Sequence, residues 1–179
     1  VSCERTRLPF LFGYLIWRVI DRQAWWGGRM CPRPFFDPIA RGIRSYFDAE
    51  VKYIDVKSLK GVKGPMIFCC HPHGIFGIST LLNFAVGSFS CGLGSCLGRG
   101  VHVLTLRLSF LIPFWRDFLV SFGLGPVDRG TCEFILREVG DSIAVVLGGA
   151  REALRSRPGV YEVILRNRLG LFKLSVGTG

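Results

Sequence analysis

Two of the three histidines in the chain lie in one stretch of four residues, His71-Pro72-His73-Gly74. A neutral imidazole can accept a proton from an alcohol near neutral pH, and acyl transfer to a hydroxyl requires that step. Pro72 stiffens the turn between the two imidazoles, and backbone N–H groups near Gly74 would be free for an oxyanion if a helix starts there. Two alternatives remain, a structural turn and a metal site, although no third ligand lies nearby in sequence. The third histidine, His102, is expected to be a core or surface residue.

A second candidate stretch is Gly148-Gly149-Ala150-Arg151-Glu152, which follows the apolar run 143–147. Glycines at the end of a strand allow the backbone to approach a ligand closely. Glu152 could orient a histidine or assist a proton transfer, and Arg151 could bind a phosphate. The alternative is a turn that carries an exposed ion pair.

A third stretch, 166–173, supplies the basic side chains Arg166, Arg168 and Lys173. A guanidinium group binds phosphate oxygens through two parallel hydrogen bonds. These residues could therefore form the rim of a site for a phosphate-bearing substrate, or they could be an ordinary solvated basic face.

The elements that must position these stretches alternate between strands and helices. Continuous apolar runs predict buried strands at 66–70, 101–106, 143–147 and 161–165. Helical periodicity or length predicts helices over 39–53, 75–86, 114–122, 131–139 and 171–176. Thr131 is the predicted N-cap of the fourth of these, and Gly140 its C-terminal stop. The pattern predicts an α/β domain with a layered, mostly parallel sheet. Ligands bind such sheets beyond the carboxyl ends of the strands, where the His71 and Glu152 stretches are expected.

The composition favours a lipid-associated protein. Hydrophobic residues make up 49% of the 179 residues, and 23 Lys and Arg against 13 Asp and Glu give a net charge of +10. An apolar, basic chain suits an anionic membrane surface. No zinc-finger spacing, aromatic RNA-binding motif or long basic tail is present, so we expect no nucleic-acid partner. The seven cysteines form no evident disulfide framework, which indicates a reducing compartment.

The first 38 residues differ from the rest of the chain. The apolar segment 8–20 holds one charge, Arg18, and is shorter than the roughly 20 residues of a full membrane span. The Trp25-Trp26 pair that follows resembles an interfacial aromatic belt, although an ordinary core helix is the alternative. We expect residues 1–38 to be a truncated, membrane-associated anchor and linker, and residues 39–179 to form the α/β domain.

The chain resembles the diacylglycerol acyltransferase 2 family, which includes monoacylglycerol and wax-alcohol acyltransferases. The resemblance covers most of the chain from about Tyr46 onward, and its specificity comes from the ordered combination of motifs. The matching stretches are Gly27-Gly28-Arg29, Tyr46-Phe47, 68–77 with the His-Pro-His-Gly motif, 125–129 with Pro-Val-Asp-Arg, 146–154 with Gly-Gly-Ala-Arg-Glu, and 158–174 with Arg-Asn-Arg-Leu-Gly.

The resemblance implies a layered glycerolipid-acyltransferase-like fold and an enzyme that transfers a fatty acyl group from acyl-CoA to a hydroxyl. The acceptor would be diacylglycerol or a related monoacylglycerol or long-chain alcohol, acyl-CoA would be a co-substrate, and no cofactor or metal would be needed. His71, His73 and Glu152 would be catalytic. The expected substrate-binding residues are Pro72, Gly74, Arg129, Gly148, Gly149, Arg151, Arg166, Arg168 and Lys173.

The resemblance also implies a location in the endoplasmic reticulum membrane with the domain facing the cytosol, the lipid droplet being an alternative. Members of the family are longer, so residues 39–179 are expected to be incomplete at the C-terminus. Two other functions stay open, an inactive lipid-binding remnant of the family and a metal-binding regulatory protein. The acceptor, the oligomeric state and the choice between His71 and His73 as the base are also left open.

Overall fold

The computed structural model describes most of the chain, in several ranges. The described residues are 2–21, 33–48, 56–71, 77–85, 97–148, 152, 154, 155, 157, 159, 160 and 169–178. The predicted strand 161–165 lies outside them, as do Pro72, His73 and Gly74.

The described helices and strands alternate along most of the chain, as the sequence predicts. The helices are α1 (Ser2–Ile20), α2 (Arg33–Tyr46), α3 (Val56–Gly61), α4 (Ile78–Thr80), α5 (Trp115–Ser121), α6 (Arg129–Phe134) and α7 (Leu169–Thr178). Two π-helical turns, Leu81–Ala85 and Ile135–Val139, continue α4 and α6, and a 3₁₀ helix spans Arg107–Leu111. The strands are β1 (Ile67–Cys70), β2 (Val101–Thr105), β3 (Gly125–Pro126) and β4 (Ser142–Val146).

The four strands form one sheet in the order β1-β4-β2-β3, and all three pairings are parallel. Three of the four predicted strands are confirmed to within one residue at each end. The short β3 was not predicted, because the run 123–130 has the Gly and Pro content of a turn. The predicted α/β class with a parallel sheet is confirmed.

The central strands β2 and β4 are buried on both faces. Neighbouring side chains along each strand point in opposite directions, so each strand contributes to the packing on both sides of the sheet. In β4, Ala144 faces one hydrophobic cluster while Ile143 and Val145 face the other. The first cluster includes Phe110 and residues of α5, and the second includes residues of α6 and α7. This double burial explains why the strands are continuous apolar runs.

The N-terminus of α6 corrects one prediction. The helix begins at Arg129, and Asp128 is its N-cap because the Asp128 carboxylate accepts hydrogen bonds from the backbone N–H and the hydroxyl of Thr131. Thr131 therefore lies inside the helix. Gly140 ends the π-helical turn that follows, with a left-handed φ of 75°, as predicted.

The apolar segment 8–20 is helical, since it forms most of α1. Several of its apolar side chains are exposed, and Phe10 and Val19 are each 81% exposed. Within the described ranges, no helix has both the length and the apolar character needed to cross a membrane. The division at residue 38 and the membrane association of α1 stay predictions.

A polar network fixes the end of α1 against α5. Arg116 is 4% exposed and donates to Asp21 twice, to the carboxylate oxygen Oδ2 at 3.2 Å and to the backbone carbonyl at 2.5 Å. It also donates to Asp117 at 2.9 Å, and the Tyr14 hydroxyl donates to the other oxygen of Asp117 at 2.5 Å. We call these four residues the Arg116 network. The network joins parts of the chain that are about a hundred residues apart, so no local sequence pattern predicts it.

Replacing Arg116 with methionine is expected to destabilise the protein strongly, because the buried Asp21 carboxylate loses its ion pair with the Arg116 guanidinium. The loss of one partner of a buried ion pair typically costs about 3–5 kcal/mol. The measurement is the free energy of unfolding from a denaturant titration. Arg129→Met is the control, since Arg129 is 81% exposed in its pair with Glu133 and such helical pairs contribute only about 0.3–0.5 kcal/mol. Equal losses in the two variants would contradict the prediction.

Candidate functional site

The site lies where two neighbouring parallel strands end. Cys70, the last residue of β1, is in register with Val146, the last residue of β4. The next residues along the chain, His71 and Leu147-Gly148, therefore leave the sheet side by side at its carboxyl edge. The two stretches that the sequence singles out are brought together by strand pairing alone.

His71 and Glu152 are in direct contact. Nδ1 of His71 lies 3.1 Å from Oε1 and 3.2 Å from Oε2 of Glu152. The Glu152 side chain is 3% exposed and that of His71 is 13% exposed. An ionised carboxylate can only accept hydrogen bonds, so Nδ1 carries the proton and donates it between the two oxygens. This contact is the one that Glu152 would need in order to orient the His71 ring. The orienting role itself stays a prediction.

The opposite nitrogen of the same ring, Nε2, is buried and makes no hydrogen bond to any residue that the structure describes. With the proton held on Nδ1, the lone pair of a neutral imidazole is on Nε2. A buried acceptor without a partner is costly in a folded protein. Among the described residues, Nε2 of His71 is therefore in a position to accept a hydrogen bond from a ligand.

Gly148 creates the space that the Glu152 side chain occupies. A Cβ built on Gly148 would lie 2.0 Å from Oε2, 2.1 Å from Cδ and 2.3 Å from Cβ of Glu152. All of these separations are far shorter than van der Waals contact. The substrate-binding role of Gly148 stays a prediction; the geometry adds that this glycine leaves room for the Glu152 carboxylate.

The thiol beside His71 is unsuited to act as a nucleophile. Burial raises the pKa of Cys70, an effect that a hydrogen bond with Thr80 offsets in part and the neighbouring Cys69 reinforces. The Cys70 thiol therefore stays protonated to higher pH than a free cysteine, whereas thiol nucleophiles react as thiolates.

Changing Cys70 to alanine is accordingly expected to leave the turnover number of a reaction at the His71–Glu152 pair close to that of the unchanged protein. The thiol is partly buried against the core, so we expect a stability loss on the order of 1 kcal/mol. Initial rates with saturating substrates test the first part, and Cys69→Ala, at an exposed cysteine, is the matched control. Loss of turnover in Cys70→Ala alone would indicate a covalent enzyme intermediate and contradict this prediction.

The predicted phosphate-binding residues are only partly described. Arg129 follows β3 at the carboxyl edge and donates to Glu133 at 2.8 Å. Lys173 is exposed on α7 beside a shallow apolar depression lined by Leu169, Phe172 and Val176. No contact joins either residue to His71 or Glu152 in the part of the chain that the structure describes. Seven predicted site residues lie outside it. They are the predicted catalytic His73 and the predicted substrate-binding residues Pro72, Gly74, Gly149, Arg151, Arg166 and Arg168.

A second histidine–carboxylate pair lies at the opposite edge of the sheet. His102 is 5% exposed, and its Nε2 lies 2.9 Å from Oδ2 of Asp141. The other oxygen of Asp141 accepts the backbone N–H of Gly100 at 2.8 Å. His102 is thus a core residue, one of the two expectations for it, and the pair ties the start of β2 to that of β4.

No group of three or more His, Cys, Asp or Glu side chains within the described ranges is arranged to hold a metal ion. The metal-binding alternative invokes His73, which lies outside those ranges.

Comparison with known proteins identifies the family. The family model for diacylglycerol acyltransferase matches residues 6–179. Diacylglycerol O-acyltransferase 2 of Dictyostelium discoideum is 37% identical over 178 residues, which cover 96% of this chain and 53% of that protein. Diacylglycerol O-acyltransferase 2B of Umbelopsis ramanniana is 35% identical over 96% of this chain and 48% of its own length. The human diacylglycerol O-acyltransferase 2 is 33% identical over 93% of this chain and 42% of its own length.

The chain thus spans about half the length of the curated relatives it matches. No solved structure gives a significant match. The family match over nearly the whole chain agrees with the resemblance of the motifs around His71 and Glu152. The chain belongs to the diacylglycerol acyltransferase family.

Proposed function

We propose that this chain carries the active site of an acyltransferase that moves a fatty acyl group from acyl-CoA to the hydroxyl of diacylglycerol. The observation that carries the proposal is the His71–Glu152 pair, in which Nε2 of His71 has no hydrogen-bond partner among the described residues. The relatives are named for acyl transfer to diacylglycerol, and the pair supplies the base that this reaction needs. Of the two histidines in the motif, we propose His71 as the base.

Nε2 of His71 accepts the proton of the acceptor hydroxyl as its oxygen attacks the thioester carbonyl. A C–O bond forms, and the carbonyl oxygen takes up negative charge. When the tetrahedral species collapses, the C–S bond breaks and the CoA sulfur takes the proton from Nε2. The histidine returns to its starting state, so no covalent acyl-enzyme is required.

Glu152 contributes by holding the imidazole with Nε2 deprotonated and by stabilising the imidazolium that forms transiently. The same arrangement orients the histidine of a serine-protease triad, where the carboxylate does not itself take the proton. Backbone N–H groups near Gly74 are proposed to stabilise the oxyanion.

The CoA phosphates need cationic partners. We propose Arg129, Arg151, Arg166, Arg168 and Lys173 for this role, on the basis of their charge and their nearness in sequence to the site stretches. Monoacylglycerol and long-chain alcohols carry the same reacting hydroxyl and remain alternative acceptors. The cytosolic face of the endoplasmic reticulum membrane is the proposed location, because the substrates are lipids and the chain is apolar and basic.

The test is acyl transfer from labelled acyl-CoA in membranes of cells that express the full-length protein. Diacylglycerol, monoacylglycerol and a long-chain alcohol are supplied in parallel, and ester product and released CoA thiol are both counted. We expect one ester per thiol, with diacylglycerol preferred. Membrane binding without transfer to any acceptor would favour the inactive-remnant alternative. Undiminished transfer after changing both His71 and His73 to alanine would contradict the histidine assignment.

A further inference from the structure

The chain segment that follows β2 exposes an unusual number of large apolar side chains. Seven of them lie between residues 106 and 118, and we call this segment the 106–118 patch. Its exposed residues are Leu106, Leu108, Leu111, Ile112, Phe114, Trp115 and Phe118. Leu108 and Phe114 are 63% and 68% exposed, respectively. Isolated exposed apolar residues are ordinary, but a cluster of this kind marks an interaction site.

The patch is continuous with the exposed face of α1. The rings of Tyr14 and Phe114 stack with centroids 4.6 Å apart, and the backbone N–H of Phe114 donates to the Tyr14 hydroxyl at 2.7 Å. Arg18 donates to the backbone carbonyl of Leu111. Beside this junction α1 presents its own exposed apolar residues, Phe10, Leu11, Phe12, Leu15, Ile16, Val19 and Ile20.

The charges around this joint surface suit an anionic lipid bilayer. The two carboxylates of residues 9–21 and 106–118, Asp21 and Asp117, are both engaged by Arg116. Arg107 is exposed and Arg18 is partly exposed, and Trp17 and Trp115 are each nearly half exposed. Half-exposed Trp with nearby Arg is typical of segments at the membrane interface.

The position of the patch relates it to the site. Leu106 directly follows Thr105, the last residue of β2, so the patch begins at the carboxyl edge of the parallel sheet. His71 and Gly148 leave the sheet at that same edge. A surface that enters lipid here would bring this edge close to the bilayer.

We propose that the 106–118 patch and α1 form one membrane-contacting surface, in which the patch enters the interface of an anionic bilayer as a second element beside α1. The Arg116 network holds the two elements in a fixed relation. The proposal goes beyond the acyl-transfer function and does not depend on it, because lipid contact can be measured without turnover.

The test uses tryptophan fluorescence and lipids brominated on their acyl chains, which quench only a tryptophan that reaches the bilayer. The chain has four tryptophans; changing Trp17, Trp25 and Trp26 to phenylalanine leaves Trp115 as the reporter. The variant is mixed with phosphatidylcholine–phosphatidylserine vesicles with and without brominated chains. Val139→Trp with all four native tryptophans changed is the matched control, since Val139 is exposed near the opposite edge of the sheet.

We expect Trp115 to lose most of its emission in brominated vesicles, while the residue 139 reporter keeps its emission. Phe118→Trp, as the sole tryptophan, is a second reporter in case the first variant folds poorly. Vesicle binding without quenching of either patch reporter would overturn the proposal, because α1 alone would then account for binding. Failure to bind vesicles would also overturn it, as would a lipid-independent spectral shift of Trp115 that grows with protein concentration, which indicates a contact between copies.

Discussion

Replacing Glu152 with glutamine is expected to lower the turnover number for acyl transfer by about 10²- to 10⁴-fold, the usual contribution of a general base. Glutamine has nearly the same shape, so the buried position stays filled. Its amide is neutral and can donate a hydrogen bond, and donation to Nδ1 of His71 would place the ring proton on Nε2. The base would then be blocked, and the imidazolium would lose its counter-charge. The measurement is kcat at saturating acyl-CoA and acceptor.

His71→Gln should cause a loss of the same order, and the double variant should be little worse than either single one, because the two residues act as a unit. His102→Gln is the matched control, since that histidine also contacts a carboxylate but lies at the other edge of the sheet. It should reduce stability while leaving kcat in the folded protein close to normal. A Glu152→Gln variant with full kcat would show that the carboxylate is not needed to orient the base.

Gly148→Ala is expected to produce the second large effect. The added Cβ would overlap the Glu152 side chain, with its three nearest atoms at 2.0, 2.1 and 2.3 Å. The carboxylate must move away or the strand end must shift, and either change separates Glu152 from Nδ1 of His71. We expect kcat to fall nearly as far as in Glu152→Gln, with a stability loss of about 1–3 kcal/mol from overpacking. The two measurements are kcat and the free energy of unfolding.

Gly130→Ala is the control for this change, because a Cβ at residue 130 would have its nearest contact at an ordinary 3.6 Å. It should leave kcat unchanged. A double-mutant cycle gives a sharper test. Since all three of the nearest atoms belong to Glu152, the stability cost of Gly148→Ala should largely vanish when residue 152 is glycine. A cost that persists there would show that the backbone, and not the side chain, is the obstacle.

The sheet was predictable because its central strands, β2 and β4, are buried on both faces. Runs such as 143–147 carry no polar residue, and in an α/β pattern this indicates a parallel sheet. The strand β3 could not be recognised, because its two residues are Gly125 and Pro126, and a Gly-Pro pair in a run with further glycines is typical of a turn. Asp128 was missed as an N-cap for a similar reason, since both it and Thr131 are good capping residues and only the three-dimensional contact distinguishes them.

The candidate site was predictable in part. The positions of His71 and Glu152 after apolar strands indicated that they share an edge of the sheet, but not that they touch. That contact depends on β1 and β4 being neighbours in the sheet. The sequence predicts the strands but not the order in which they pair. The sequence could not show that Gly148 leaves room for the Glu152 side chain. A glycine that makes room for a side chain has the same sequence pattern as one that makes room for a ligand. The Arg116 network joins residues 95 positions apart, beyond any local pattern.

The strand order also determines when, during synthesis of the chain, the sheet can form. Within the described part of the sheet, β1 pairs with β4 alone, so its hydrogen-bonding partner is made more than 70 residues later. Pairings of such long range form slowly and leave strand edges exposed until they close. His71 is consequently synthesised well before Glu152, and the contact between the two can form only after Glu152 has been made. A nascent chain that has not reached β4 therefore lacks the β1–β4 pairing, and its His71 lacks the contact with Glu152.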